Sequence, residues 1–192
     1  VTGKLTIEQA AADAFTGTVT LDDWTYGDEA KAEAPEVTPA GSDYADPTYL
    51  YKVKGADDST YTDQKPTQAG DYTVKATWAA TENCPEISDT DDFSILKREI
   101  TVSAEKTVKY NGFDQKLDIT EADITAGSVA GGETLDLSAS VTGKDKGVYD
   151  ELDATPAYKV TDGEGNETTS NYTITVTGKL TIEQAAADAF TG

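Results

Sequence analysis

Apolar and polar residues alternate along most of this chain with the period of two that sends successive side chains to opposite faces of a strand. The pattern is carried by "GTVTLDDWTYG" (17–27), "TYLYKVKG" (48–55), "GDYTVKATWAA" (70–80) and "DFSILKREITVSAEKTVKYNG" (92–112). It continues in "TLDLSASVTG" (134–143), "ATPAYKVTDGEGN" (154–166) and "NYTITVTGKLTIE" (171–183). The runs are rich in Thr, Val, Ile, Tyr and Trp, and Gly, Pro, Asp or Asn bounds most of them. Short strands at this spacing predict an all-β chain of two tandem small modules joined by short linkers, each a β-sandwich (Ig-like) or a β-grasp-like fold. "DGEGN" (162–166) supplies the positive-φ positions of a tight hairpin.

One stretch breaks the pattern. "EQAAADAF" occurs at 8–15 and again at 183–190, and its alanines favour helix. About one turn of helix is marginal without tertiary support, so it reads as a linker with at most one helical turn. It belongs to a longer duplication. "VTGKLTIEQAAADAFTG" fills positions 1–17 and recurs without a substitution at 176–192. Fixed-period identity predicts a tandem array, and this period is long enough for complete domains.

A weaker repeat lies inside the period. "DWTYGDEAKAE" (23–33) parallels "KTVKYNGFDQK" (106–116), "AGDYTVKAT" (69–77) parallels "KGVYDELDAT" (146–155), and "DFSILKREI" (92–100) parallels "NYTITVTGKLTI" (171–182). The expected organisation follows: 1–14 a terminal strand and linker of a preceding repeat, 15–97 the first module, 98–183 the second, and 184–192 the start of a next repeat. The junction near Arg98 leaves almost no linker, which predicts a stiff joint. The strand at 1–7 is expected to be poorly ordered or borrowed by a neighbour, whereas its copy at 176–182 is expected to pair within its sheet.

Charge narrows the partners. Asp and Glu number 36 against 15 Lys and Arg, a formal net charge of −21. Such a surface repels phosphate backbones and anionic membranes, so no nucleic acid and no membrane insertion are expected. There is no histidine, which removes the usual general base, metal ligand and pH switch. Cys84, in "ENCPEI", is the single cysteine, so neither an intrachain disulfide nor a cysteine zinc cluster is available. It reads as an idle buried thiol or an exposed interchain handle. Without an initiating Met or a visible signal peptide, the chain reads as an internal piece of a longer protein.

The phrases "WTYGDEA", "YLYKVKGADDSTYTDQKPTQAGDYTVKATWAATENC" and "DFSILKREITV" resemble a repeat module of bacterial surface proteins known as MBG-type. "KTVKYNGFDQKL" and "GVYDELDATPAYKVTDGEGNETTSNYTITVTGKLTIEQ" resemble its companion, the YDG-type module, named for a Tyr-Asp-Gly turn. This chain has Tyr110-Asn111-Gly112 there, which supplies the same turn chemistry. Together the resemblances run from about Phe15 to Glu183. They imply a long secreted or wall-anchored bacterial protein in which such modules form a stalk, with no enzymatic activity and no cofactor.

Candidate chemistry is sparse. Acidic runs occur at Asp57-Asp58, at Asp89, Asp91 and Asp92, and at Asp162, Glu164, Asn166 and Glu167. Hard cations take clustered oxygens, which makes Asp162, Glu164 and Asn166 weak metal candidates, although solvated turns are the simpler reading. Paired carboxylates can hydrolyse glycosides, but only in an enclosed cleft that small β modules rarely offer. Tyr49, Tyr51 and Val53 share one strand face, and Trp24 and Tyr26 alternate likewise. Core filling is the simpler role for such rings; the functional alternative is a ligand-facing stripe at Tyr49 and Tyr51. Lys109, on a first strand, and Asn171, at the start of a last strand, are candidates for an isopeptide crosslink.

These readings favour a structural spacer or stalk repeat of an adhesin-like protein, extracellular and associated with the bacterial cell wall. Its partners would be neighbouring repeats of its own chain. The alternatives are a module that binds glycan or host protein, and a filament subunit that self-associates by β-strand addition.

Overall fold

The fold is given by a computed structural model that describes residues 3–11 and 13–185. The protein is all-β: thirteen strands and three single 3-10 turns make up the regular structure, with no α-helix among the described residues. The chain divides into two compact units, Val1–Leu96 and Lys97–Gly192.

Unit 1 contains β1 (Thr16–Thr20), β2 (Trp24–Thr25), β3 (Ala34–Thr38), β4 (Thr48–Val53), β5 (Gly70–Trp78) and β6 (Ile87–Leu96). β1 pairs antiparallel with β3, and the other four form a sheet in the order β2-β6-β5-β4. Alternation explains the core. Val74, Ala76 and Trp78 of β5 are buried, and Phe93 and Ile95 of β6 join them. Phe93 lies between two rings, stacked on Trp24 at 5.3 Å and on Tyr72 at 5.7 Å, with Tyr51 edge-on at 6.4 Å. Each such pair adds roughly 0.5–1.5 kcal/mol beyond the area it buries. Trp78 covers the backbone of β1, where a Cβ on Gly17 would stand 2.6 Å from its ring.

Before β2 joins β6 by a parallel backbone ladder, β1 and its extension are tied to β6 by carboxylates. The Val19 and Leu21 N–H groups donate to Asp89 and Asp91, each at 2.9 Å, and the Ser94 N–H donates back to Asp23 at 2.6 Å. The "SDTDD" run therefore supplies acceptors where a strand pair lacks its ladder.

Unit 2 contains β7 (Arg98–Lys109), β8 (Gln115–Ile119), β9 (Ile124–Ala126), β10 (Thr134–Gly143), β11 (Gly147–Tyr149), β12 (Ala157–Thr161) and β13 (Tyr172–Glu183). One sheet has the order β11-β13-β7-β9 and the other β12-β10-β8. Ile100, Val102, Leu180 and Ile182 of the first sheet are buried, as are Leu117, Ile119, Leu135, Leu137, Val141 and Val160 of the second. A β-grasp requires a helix laid across its sheet, and none occurs among the described residues. Two sheets per unit match the sandwich alternative.

The units share a closing device, which gives the weak internal repeat a physical meaning. In each, the opening strand (β1 continuing into β2 in unit 1, β7 in unit 2) runs parallel to the last. The registers are Trp24↔Ile95 in unit 1, and Tyr172↔Arg98 through Glu183↔Lys109 in unit 2. In each, a tyrosine just past the opening strand donates its N–H to the final carbonyl of the last strand. Tyr26 reaches Leu96 and Tyr110 reaches Glu183, both at 2.9 Å. A left-handed glycine ends each turn, Gly27 at φ 79° and Gly112 at φ 84°, a conformation that L side chains rarely adopt. Gly70 and Gly147 hold matching registers, opposite Ile95 and Ile182.

The duplicated segment occupies two environments. Its second copy supplies β13 from Val176 onward, paired with β7 and β11. In the first copy residues 3–7 form no strand. "EQAAADAF" at 8–15 forms no helix among its described residues; the Ala14 N–H closes a turn on the Ala11 carbonyl at 3.0 Å. Its second copy, expected to behave as a linker, lies outside the described residues from 186 on.

Candidate functional site

The connector that follows residues 3–8 is held against one end of unit 1. The loop 81–84 is shaped first by its own bonds: Thr81 N–H to Cys84 O at 2.8 Å, and Cys84 N–H to the Thr81 hydroxyl at 2.9 Å. Asp43 ties this loop down, accepting from the Thr81 hydroxyl at 2.7 Å and from Asn83 Nδ2 at 2.9 Å. Hydrogen bonds from Cys84, Thr81 and Asn83 hold its carboxyl down to about 2. On the shaped loop sits Gln9. Its Nε2 donates to the carbonyls of Thr81 at 3.1 Å and Cys84 at 3.0 Å, and the Ala10 N–H donates to Asn83 O at 2.8 Å. Phe15 packs edge-on against Tyr44 at 5.8 Å, and the Tyr44 hydroxyl donates to Pro85 O. Gln9, Ala10 and Phe15 therefore clip the connector onto unit 1.

Cys84 is buried in this clip, so it is not an exposed handle, and its side chain hydrogen-bonds to Asp43. Sequence reasoning missed Gln9 and Asp43. Only a long-range contact, 75 residues in the case of Gln9 and Cys84, shows what they do.

The sequence candidates fall elsewhere. Tyr51 is buried against Phe93, and its hydroxyl donates to Glu33, which also pairs with Lys65 at 2.7 Å. Burial, reinforced by the bond to Glu33, pushes its phenol far above the ordinary range. For Glu33 burial pulls upward, but the bonds from Lys65 and Tyr51 prevail and lower it. Tyr49 is half-buried, its phenol raised by burial and then by Glu33 and Asp46. Core packing accounts for the Tyr51 ring, so the two tyrosines do not form one exposed stripe.

Asp162 folds its own turn. Its Oδ1 accepts the N–H groups of Glu164 at 2.9 Å and Asn166 at 2.8 Å, and its Oδ2 accepts Asn166 Nδ2 at 2.9 Å. Asn166 is the main cause of its lowered pKa. The carboxylate offered as a cation ligand is thus engaged by N–H donors. Among the described residues no three His, Cys, Asp or Glu side chains gather as a metal site.

Lys109 and Asn171 are not brought together. Lys109 stands opposite Glu183 and pairs with it at 2.6 Å, whereas Asn171 precedes Tyr172, which stands opposite Arg98. Arg98 and Lys109 are the two ends of β7, and a strand of that length spans on the order of 35 Å. The parallel pairing of β7 with β13 therefore puts the two candidates at opposite ends of one ladder, beyond the reach of a covalent bond.

The concavities are shallow. One of about 240 Å³ in unit 1 is lined by Tyr51, Lys52, Thr60 and Tyr72, and one of about 400 Å³ in unit 2 by Tyr149, Asp150, Glu151 and Asp153. A glycosidase acid needs a raised pKa. Asp153 is instead held low by bonds from Ser140 and Thr142. No helix of the described residues is long and apolar enough to cross a membrane.

No family model matches the chain, and no curated protein matches it. Among solved structures, three N-terminal domains of the bacteriophage RB49 Highly Immunogenic Outer Capsid protein (Hoc) are similar at a TM-score of 0.29 and 11% identity, covering 90% of this chain and 71% of that one.

Proposed function

We propose that the chain is a non-enzymatic spacer unit of a tandem-repeat protein on the bacterial cell surface. The observation that carries this reading is the use made of the duplicated segment. Its opening part, in the copy at 176–183, is a last strand; the part that follows, through Gln9, Ala10 and Phe15 of the other copy, clips the next unit. The repeat then sets Glu183, the end of a strand, directly before Gln184, the counterpart of the clipping Gln9. Such a connector leaves no slack between one period and the next. The MBG- and YDG-type phrases and the acidic surface support an extracellular setting, where net charge keeps long arrays soluble.

The test is a chain of two periods, made by continuing residues 1–192 from Thr18 to Gly192 again. Single-molecule pulling should add two unfolding events for the added period. A glycan array and host-matrix pull-down with the same chain should give no saturable binding; specific binding there would replace the spacer reading with an adhesive one.

A further inference from the structure

The first copy of the repeated strand carries features that its own surroundings leave unused. Leu5 and Ile7 are 85% and 80% exposed, whereas their counterparts Leu180 and Ile182 are 0% and 1% exposed. Gly3 has open space around it, yet its counterpart Gly178 has none. A Cβ on Gly178 would lie 2.6 Å from Ile119 Cδ1 and 2.9 Å from Val141 Cγ2. Glycine weakens an isolated strand, so its presence at this position answers to the sheet that closes over Gly178. Two exposed aliphatics and one otherwise costly glycine thus match a single slot, the one between β7 and β11.

We propose that residues 3–8 are a β-strand donor whose receptor is the β7–β11 slot of a second copy of this chain. The sequences are identical, so every register that holds 178–183 is available to 3–8, including the pairing of Glu183 with Lys109, which Glu8 would take over. The donor is also presented well, because Gln9 and Ala10 fix its C-terminal end to the 81–84 loop. With both strands present, exchange replaces contacts by the same contacts and adds the entropic cost of association. The resident β13 therefore keeps its slot through its high effective concentration. Copies join head to tail only when β13 is weakened or displaced. Under the spacer reading the slot that receives residues 3–8 is a preceding module's, and here it is a second copy's, so the donor role does not rest on that reading.

The experiment uses the full chain with Leu180→Asp/Ile182→Asp, which spoils the resident strand and leaves the donor intact. Light scattering should show concentration-dependent oligomers, and hydrogen exchange should show the Lys106 and Val108 amides, which stand opposite positions 180 and 182, still protected. Adding Leu5→Asp/Ile7→Asp should return the chain to monomers with those amides open. Equal behaviour of the two variants, whether both monomeric or both aggregated, overturns the proposal, as does a monomeric first variant with unit 2 closed. A milder variant covers the case in which aspartates abolish folding. Leu180→Ala/Ile182→Ala should take up labelled peptide of residues 1–8 at least about tenfold faster than the unaltered chain. An unchanged rate overturns the proposal, and so does equal uptake of a peptide with the two aspartates.

Discussion

Asp43 shows how much this chain asks of individual carboxylates. It receives bonds from the 81–84 loop on both oxygens, and that loop in turn presents the carbonyls that Gln9 and Ala10 grip. Its pKa falls from the ordinary 3.8 to about 2 in the folded protein, through bonds from Cys84, Thr81 and Asn83. A group depressed in this way contributes stability that is complete above its unfolded value. The contribution is lost as pH falls from 3.8 towards about 2, when the folded carboxyl takes up its proton. Protection of the Ala10 amide should therefore decline across that window while the Val74 amide, deep in the sheet, stays protected. In Asp43→Asn the Ala10 amide should be poorly protected at neutral pH already and show no such decline, because an amide nitrogen faces donors where an acceptor is needed. Hydrogen exchange followed by NMR reads both amides in one experiment.

At the scale of elements, the unusual join is that of β1 to β6, where Asp89 and Asp91 accept strand N–H groups in place of carbonyls. Removing such an acceptor leaves a part-buried donor unsatisfied, at a cost of roughly 1–3 kcal/mol. Asp89→Ala and Asp91→Ala should each lower the unfolding free energy of unit 1 by that order, seen as a fall in its urea midpoint, and leave the midpoint of unit 2 in place. Exchange at Val19 and Leu21 should quicken selectively. Nothing local in "SDTDD" announces this role, because the partner N–H groups lie 70 residues away. Strands and turns are legible in the sequence, since alternation and glycine placement are local properties. The "TYG" and "YNG" phrases even mark both turns that close the opening strand on the last. Direction of pairing is not legible: β7 and β13 read equally well in either sense. The parallel choice alone decides that Lys109 meets Glu183 and never Asn171. The clip is hidden for the same reason, since an Ala-rich run suggests a helix until the carbonyls it serves are known.

For the whole molecule the governing quantity is a net charge of −21. Carboxylates far outnumber cations, and the pairs that exist are largely solvent-exposed: Lys54–Asp92, Lys109–Glu183 and Lys116–Asp118 all keep about half or more of each side chain in water. Exposed pairs contribute roughly 0–1 kcal/mol each, so salt has little attraction to screen and much repulsion. The Debye length falls from about 30 Å at 0.01 M to about 8 Å at 0.15 M ionic strength. That removes the long-range part of the repulsion and leaves the carboxylate-to-N–H bonds in place, because those act at contact. Tm should rise monotonically over this range, as differential scanning calorimetry can measure; a fall would mean that ion pairs outweigh self-repulsion. The identity of the ion offers a sharper version. Calcium binds where several oxygens are free to converge, yet Asp162 is already engaged by Glu164 and Asn166. Calcium and sodium chloride at matched ionic strength should then raise Tm to the same extent, and an excess for calcium that vanishes in Asp162→Asn would locate a cation in that turn.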